Sequence, residues 1–117
     1  MKSLTLDELT RMVVAFRNDR DWQQFHNSKD VAISLSLEAA EVLELMQWRS
    51  GSELASHLQE SKQQGGEELS DVLYWVLLLA HDLEIDLATA FCDKLARNAA
   101  KYPVEKSRGS SRKYTEL

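Results

Sequence analysis

The sequence predicts an all-α protein, four helices arranged as a bundle, and three observations carry that prediction. Apolar residues recur at spacings of three and four, not in the alternation of a half-buried strand. Side chains suited to capping stand where each periodic run begins. Four glycines and one proline in 117 residues are too few for the turns of a many-stranded sheet. Such a length suits one domain.

Thr5-Leu6-Asp7-Glu8 has the form of a capping box, with Thr5 as N-cap and Glu8 three residues on. Leu6, Leu9, Val13 and Phe16 then share a face, so a first helix extends to Asn18 or so. The stretch from Asp19 to Asn27, polar and aromatic without a period, reads as a loop. Asn27 or Ser28 caps a second helix that ends at Gly51, a suitable C-terminal residue. That helix is apolar around most of its surface, as a central helix would be. Ser52 to Glu60 has room for a short extra helix. Gly65-Gly66 marks a weak point or the start of a third helix, which continues through Val72, Leu73, Val76, Leu77 and Ala80. Asp86 caps a fourth, and Pro103 stops it because proline cannot continue the hydrogen-bond ladder. Residues 104–117 read as a mobile basic tail, leaving 1–103 as the helical domain.

Composition closes off several classes of function. No apolar run approaches the ~20 residues of a membrane span, and the N-terminal residues lack the apolar core of a secretory signal. The single cysteine, Cys92, has no partner for an internal disulfide, which fits the cytoplasm. It reads as a small buried residue. A net charge of −5 argues against a binder of nucleic-acid polymers. The charge is divided, however. Residues 1–93 carry 7 basic against 17 acidic side chains, and residues 94–117 carry 7 against 2. An acidic body with a basic end suits an anion bound through a cation, or simply a solvated surface and tail.

Two acidic pairs stand out. Glu38-Ala39-Ala40-Glu41 lies in the second helix and Glu68-Leu69-Ser70-Asp71 in the third, each pair on one helix face. Both sit among apolar residues, where carboxylates are rare unless paired or holding a metal. If the two helices pack antiparallel, four acids converge and repel one another unless a divalent cation intervenes. Oxygen ligands favour Mg²⁺, with Mn²⁺ as a substitute, over zinc. None of His26, His57 and His81 completes the Glu-x-x-His pattern of a di-iron bundle. Glu44 and Glu67 extend the acidic stripes but fall outside the proposed ligand set.

In these pairs the chain resembles the MazG-like nucleotide pyrophosphohydrolases of the all-α NTP pyrophosphohydrolase superfamily. The match is an ExxE pair followed by an ExxD pair, here with 26 residues between them. Further blocks resemble the small dCTP pyrophosphatases: Arg20-Asp21-Trp22-x-x-Phe25-His26, Gln47-Trp48, Tyr102-Pro103 and the ending from Ser110 to Leu117. The resemblance implies hydrolysis of a nucleoside triphosphate, often dCTP or a modified dCTP, to the monophosphate and pyrophosphate. It also implies Mg²⁺ dependence and a homotetramer built from dimers. Glu38, Glu41, Glu68 and Asp71 are then the catalytic metal ligands. The glycine pair departs from the family, whose chain is a better helix former there.

Lys94, Asn98 and Lys101 share one face of the fourth helix, at steps of four and three, and would meet phosphates. The resemblance supports Asn98 and Lys101; Lys94 rests on spacing. Trp22, His26, Trp48 and Trp75 match positions that line the base pocket in the resembling group. Trp48 falls seven residues after Glu41, and Trp75 one turn beyond Asp71. Phe16 and Phe91 read as core, His57 as surface and His81 as helix packing. A different class of function stays open, a non-catalytic helical module that binds nucleotide or assembles, as does the same chemistry on another triphosphate such as dUTP.

Overall fold

The computed structural model describes residues 3–117. Among them are six helices and no strand: α1 (Leu6–Asp19), α2 (Ser28–Glu44), α3 (Gly51–Glu60), α4 (Lys62–Asp82), α5 (Leu87–Lys101) and the single turn α6 (Val104–Ser107). The chain divides into two compact units, one running to Glu84 and the other Ile85–Leu117. In the first, α2 and α1 both pack along α4.

The capping box forms as the sequence foretells, with the Glu8 amide donating to Thr5 Oγ1 at 3.1 Å. The last turn of α1 is closed by a Schellman arrangement. Asp21 takes the left-handed region at φ 52°, its amide donates to the Asn18 carbonyl, and the Trp22 amide donates to Arg17. Aspartate tolerates that conformation better than most residues, so no glycine advertises the turn. The loop that follows contains a 3₁₀ turn, Gln23–Phe25. Asn27 caps α2 by accepting from the Asp30 amide at 2.9 Å.

Three expectations need correction here. The second helix stops at Glu44, not at Gly51: the Met46 and Gln47 amides bond three residues back, to the Leu43 and Glu44 carbonyls, and Trp48 at φ 68° then turns the chain. Gly51 instead opens α3, with φ 58° at the corner. The third helix begins at Lys62 and runs straight through Gly65 and Gly66. Nor is α2 buried all round: Ile33, Leu37 and Leu43 are exposed on it.

The core of the first unit is small. Val31, Leu45, Leu77, Leu78 and Ala80 are its buried apolar residues. Beside them lies Arg17, 1% exposed, whose two terminal nitrogens each donate at 2.9 Å to Asp82. The pair binds the end of α1 to the end of α4. Its forked geometry offsets much of the cost of removing two charges from water.

In the second unit, Asp86 caps α5 by accepting from the Thr89 amide at 3.1 Å. Beyond Pro103 the segment read as a tail carries α6 and a 3₁₀ turn, Tyr114–Glu116. Phe91 is 64% exposed rather than core, and Cys92 is exposed rather than buried. His81, on the last turn of α4, is also exposed. Helical spacing alone cannot say which face finds a neighbour, so the sequence overstates burial at these positions.

Two stability measurements follow. Asp82→Ala leaves Arg17 charged, buried and unpaired, and should lower the unfolding free energy by about 3–5 kcal/mol in chemical denaturation. Gly66→Ala should raise it by about 0.5–1 kcal/mol, since a Cβ there meets open space and the helix is otherwise continuous.

Candidate metal centre

The two acidic pairs meet where α2 lies on α4. Each of Glu38, Glu41, Glu68 and Asp71 offers an oxygen, and these oxygens all lie within 4.8 Å of one another. Glu41 presses on Glu68, while Glu38 and Asp71 share the wall of one cavity. The higher-numbered residue of α2 thus faces the lower-numbered one of α4, the register of an antiparallel pair. The interior is less enclosed than the sequence suggests: Glu38 and Glu68 are half-buried, and Glu41 and Asp71 are exposed. Glu44 and Glu67 are exposed as well.

Electrostatics marks the site as unsatisfied. Burial and then the neighbouring Glu41 carboxyl push Glu38 above the ordinary carboxylate range, with Trp75 acting the other way. For Glu68 the Glu41 carboxyl set against it is the larger cause and burial the next, both upward. Glu38 Oε2 and Glu68 Oε2 are buried with no hydrogen-bond partner. A buried acceptor normally has one. Four oxygens in this span suit a hard divalent cation, since opposite ligands around Mg²⁺ stand about 4.2 Å apart. The residues therefore fit such an ion.

Next to the acids is a cavity of about 490 Å³. Glu38 and Asp71 form its polar wall, and Met12, Val13 and Phe16 of α1 with Trp22, Tyr74 and Trp75 form the rest. Its aromatic rings are joined edge to face: Trp22 to Phe16 (5.9 Å), Phe16 to Tyr74 (6.1 Å), Tyr74 to Trp75 (4.9 Å) and Trp75 to His26 (5.4 Å). Such contacts fix ring orientation as well as burying area. Burial raises the Tyr74 phenol above its usual range, although Arg17 and Arg20 pull it down. His26 Nδ1 is buried without a partner.

Of the aromatic candidates, Trp22 and Trp75 line this cavity and His26 packs on Trp75. Trp48 does not line it. Helical spacing would have carried Trp48 along the face of Glu41, but α2 ends at Glu44, and the indole is 92% exposed on the corner. From sequence, Phe16 reads as core and Val13 only as part of a helix face, and neither Met12 nor Tyr74 stands out. Phe16 is 42% exposed and forms cavity wall. The signal available was the position of Tyr74, i+3 from Asp71 on α4.

Lys94, Asn98 and Lys101 stand on α5 in the second unit. Lys94 and Lys101 are exposed and Asn98 is half-buried. The Lys101 ammonium lies 4.9 Å from the centre of the Tyr114 ring, which in turn meets Tyr102 at 5.9 Å. Among the described residues, no helix is long and apolar enough to cross a membrane.

Comparison with known proteins gives consistent matches. The profile of the MazG-like family matches residues 33–117. The dCTP pyrophosphatase 1 of Rattus norvegicus is 39% identical over 115 residues, covering 97% of this chain and 68% of that protein. The Homo sapiens dCTP pyrophosphatase 1 is 37% identical over the same coverage. Among solved structures, a pyrophosphatase from Archaeoglobus fulgidus superposes with a TM-score of 0.80 at 36% identity, over 88% of this chain and 96% of that one.

The crowded carboxyls set a pH dependence. Glu38 and Glu68 bind protons more tightly folded than unfolded, so this stabilisation is present in acid and is lost as pH rises from 4.5 through their raised pKa values. Without metal, the thermal midpoint should therefore fall more steeply towards neutral pH in the wild type than in Glu68→Gln. Mg²⁺ should raise the midpoint of the wild type at neutral pH and leave Glu68→Gln nearly unmoved. Calorimetric scans with and without Mg²⁺ make both comparisons, and equal responses in the two proteins would sink the metal assignment.

Proposed function

The chain belongs to the MazG-like family, and from that membership we propose that it is a Mg²⁺-dependent nucleoside triphosphate pyrophosphohydrolase. Water adds across the α–β anhydride of a deoxynucleoside triphosphate, dCTP or a modified dCTP, giving the monophosphate and pyrophosphate. The observation that carries this reading is the set of four carboxylate oxygens within 4.8 Å, two of those residues having a buried and unpartnered oxygen.

Triphosphate bears about four negative charges and would be repelled by these acids alone. The chemistry a bound Mg²⁺ (or Mn²⁺) supplies is to offset that charge and make water more acidic. Glu38, Glu41, Glu68 and Asp71 hold the ion, and a carboxylate of this set takes the proton from water. Trp22 and Trp75 offer ring faces to the base, with stacking on the order of 1–3 kcal/mol per base. His26 offers a ring nitrogen to a base edge. Asn98 and Lys101, with Lys94, are the proposed phosphate contacts, a role that the positive charge of α5 supports.

The exposed apolar residues Ile33, Leu37 and Leu43 on α2, with Leu69 and Leu73 on α4, support assembly into a homo-oligomer, and we take a tetramer built from dimers as its form. A monomer by light scattering at micromolar concentration would overturn that part alone.

Activity decides the main reading. With Mg²⁺ and a panel of triphosphates, the chain should release pyrophosphate and fastest from dCTP or a 5-substituted dCTP. Glu41→Ala should lower kcat by about a hundredfold or more, a loss at least that of a group merely supporting a ligand. Orthophosphate as product, or turnover that survives chelation of the metal, would refute it.

A further inference from the structure

Hydrolysis at the four carboxylates makes no use of Arg20, yet this side chain is held in place from three directions. Its guanidinium carbon lies 3.7 Å from the centre of the Phe16 ring and 5.9 Å from that of Trp22. One terminal nitrogen donates to the Phe16 carbonyl at 3.0 Å. Among the described residues no acidic group forms an ion pair with it, so charge pairing does not account for the placement. A planar guanidinium stacks on an aromatic face in a way that a rounded ammonium does not.

The backbone explains how the three groups come together. Phe16 lies on the last full turn of α1, and Arg20 follows one turn later. Asp21, at φ 52°, then reverses the chain so that Trp22 returns edge-on to Phe16 at 5.9 Å. Arg20 thus closes over the two rings from outside. Both rings belong to the wall of the 490 Å³ cavity, and Arg20 does not. Phe16 passes the constraint on to Tyr74 of α4, at 6.1 Å.

We infer that Arg20 is a positioning residue: it fixes Phe16 and Trp22 as a wall of the cavity and so sets the affinity for the nucleoside part of the substrate. The link to substrate rests on the pyrophosphohydrolase reading, whereas the hold on the rings does not. An exposed cation over a ring is worth about 0.5–1 kcal/mol. Losing it should weaken nucleotide binding by roughly two- to fivefold and leave the chemistry at the acids alone.

The test uses Arg20→Met, which keeps the length, and Arg20→Lys, which keeps the charge without the planar fork. In the ligand-free proteins, the Phe16–Trp22 ring contact is followed by nuclear Overhauser effects to the Trp22 indole. In turnover of dCTP, KM and kcat are measured together with inhibition by pyrophosphate, which has no base. The expected result for Arg20→Met is a weakened ring contact, a KM raised by roughly two- to fivefold, an unchanged kcat and unchanged pyrophosphate inhibition. Arg20→Lys should recover part of both the contact and the KM. An intact ring contact in Arg20→Met would overturn the inference, and so would a matching loss of pyrophosphate inhibition, which assigns Arg20 to phosphate. If the wild type hydrolyses no triphosphate, the functional reading fails, and the ring contact still decides whether Arg20 holds the wall.

Discussion

Four carboxylates within a few ångströms repel one another, and the packing of α2 on α4 is what keeps them there. The core that resists this repulsion is narrow. Val31 of α2 and Leu77, Leu78 and Ala80 of α4 supply most of its buried apolar surface. The Arg17–Asp82 pair adds a second fastening at the far end of α4, tying α1 to it. Repulsion at Glu68 and Asp71 is thereby opposed by contacts about two to four turns further along the same helix. The helix acts as a stiff arm, so a local conflict is carried without local relief.

The segment between α1 and α2 performs a different task. It begins with the left-handed turn at Asp21 and ends at the Asn27 cap, so both of its ends are fixed by backbone hydrogen bonds. Between them Trp22 and His26 reach inward to opposite ends of one chain of edge-to-face rings. That chain crosses α1 at Phe16 and α4 at Tyr74 and Trp75. A charged wall and an aromatic wall therefore border one space, and the two recognise different parts of a ligand: cation-bound anion on one side, flat ring on the other.

What the sequence makes legible is whatever depends on short, regular spacing. The Thr5–Glu8 capping box, the caps at Asn27 and Asp86 and the two acidic pairs all lie within three residues of their partners, and all form as read. What escapes is set by backbone sign or by distance along the chain. Asp21 and Trp48 take positive φ without being glycine, so neither the turn after α1 nor the end of α2 at Glu44 carries a composition signal. The glycines mislead in the opposite sense: Gly65 and Gly66 sit in continuous helix, where neighbouring Glu67, Glu68 and Leu69 sustain the ladder. Arg17 and Asp82 are 65 residues apart, and nothing in either neighbourhood names the other. Met12 and Phe16 obey the same helical period as core residues, and only the fold reveals that their face borders a cavity.

Glu41 shows why such a site is not shaped by stability. It is exposed, yet its carboxyl is the leading cause of the displacement of Glu68 and the next cause after burial for Glu38. Neutralising it would relieve both neighbours at once and touch no part of the core. The residue whose removal most relaxes the cluster is thus also the one that completes its set of oxygens. A sequence selected for folding alone would discard that charge, and its presence opposite Glu68 is intelligible as a cost carried for the cation that four oxygens can hold.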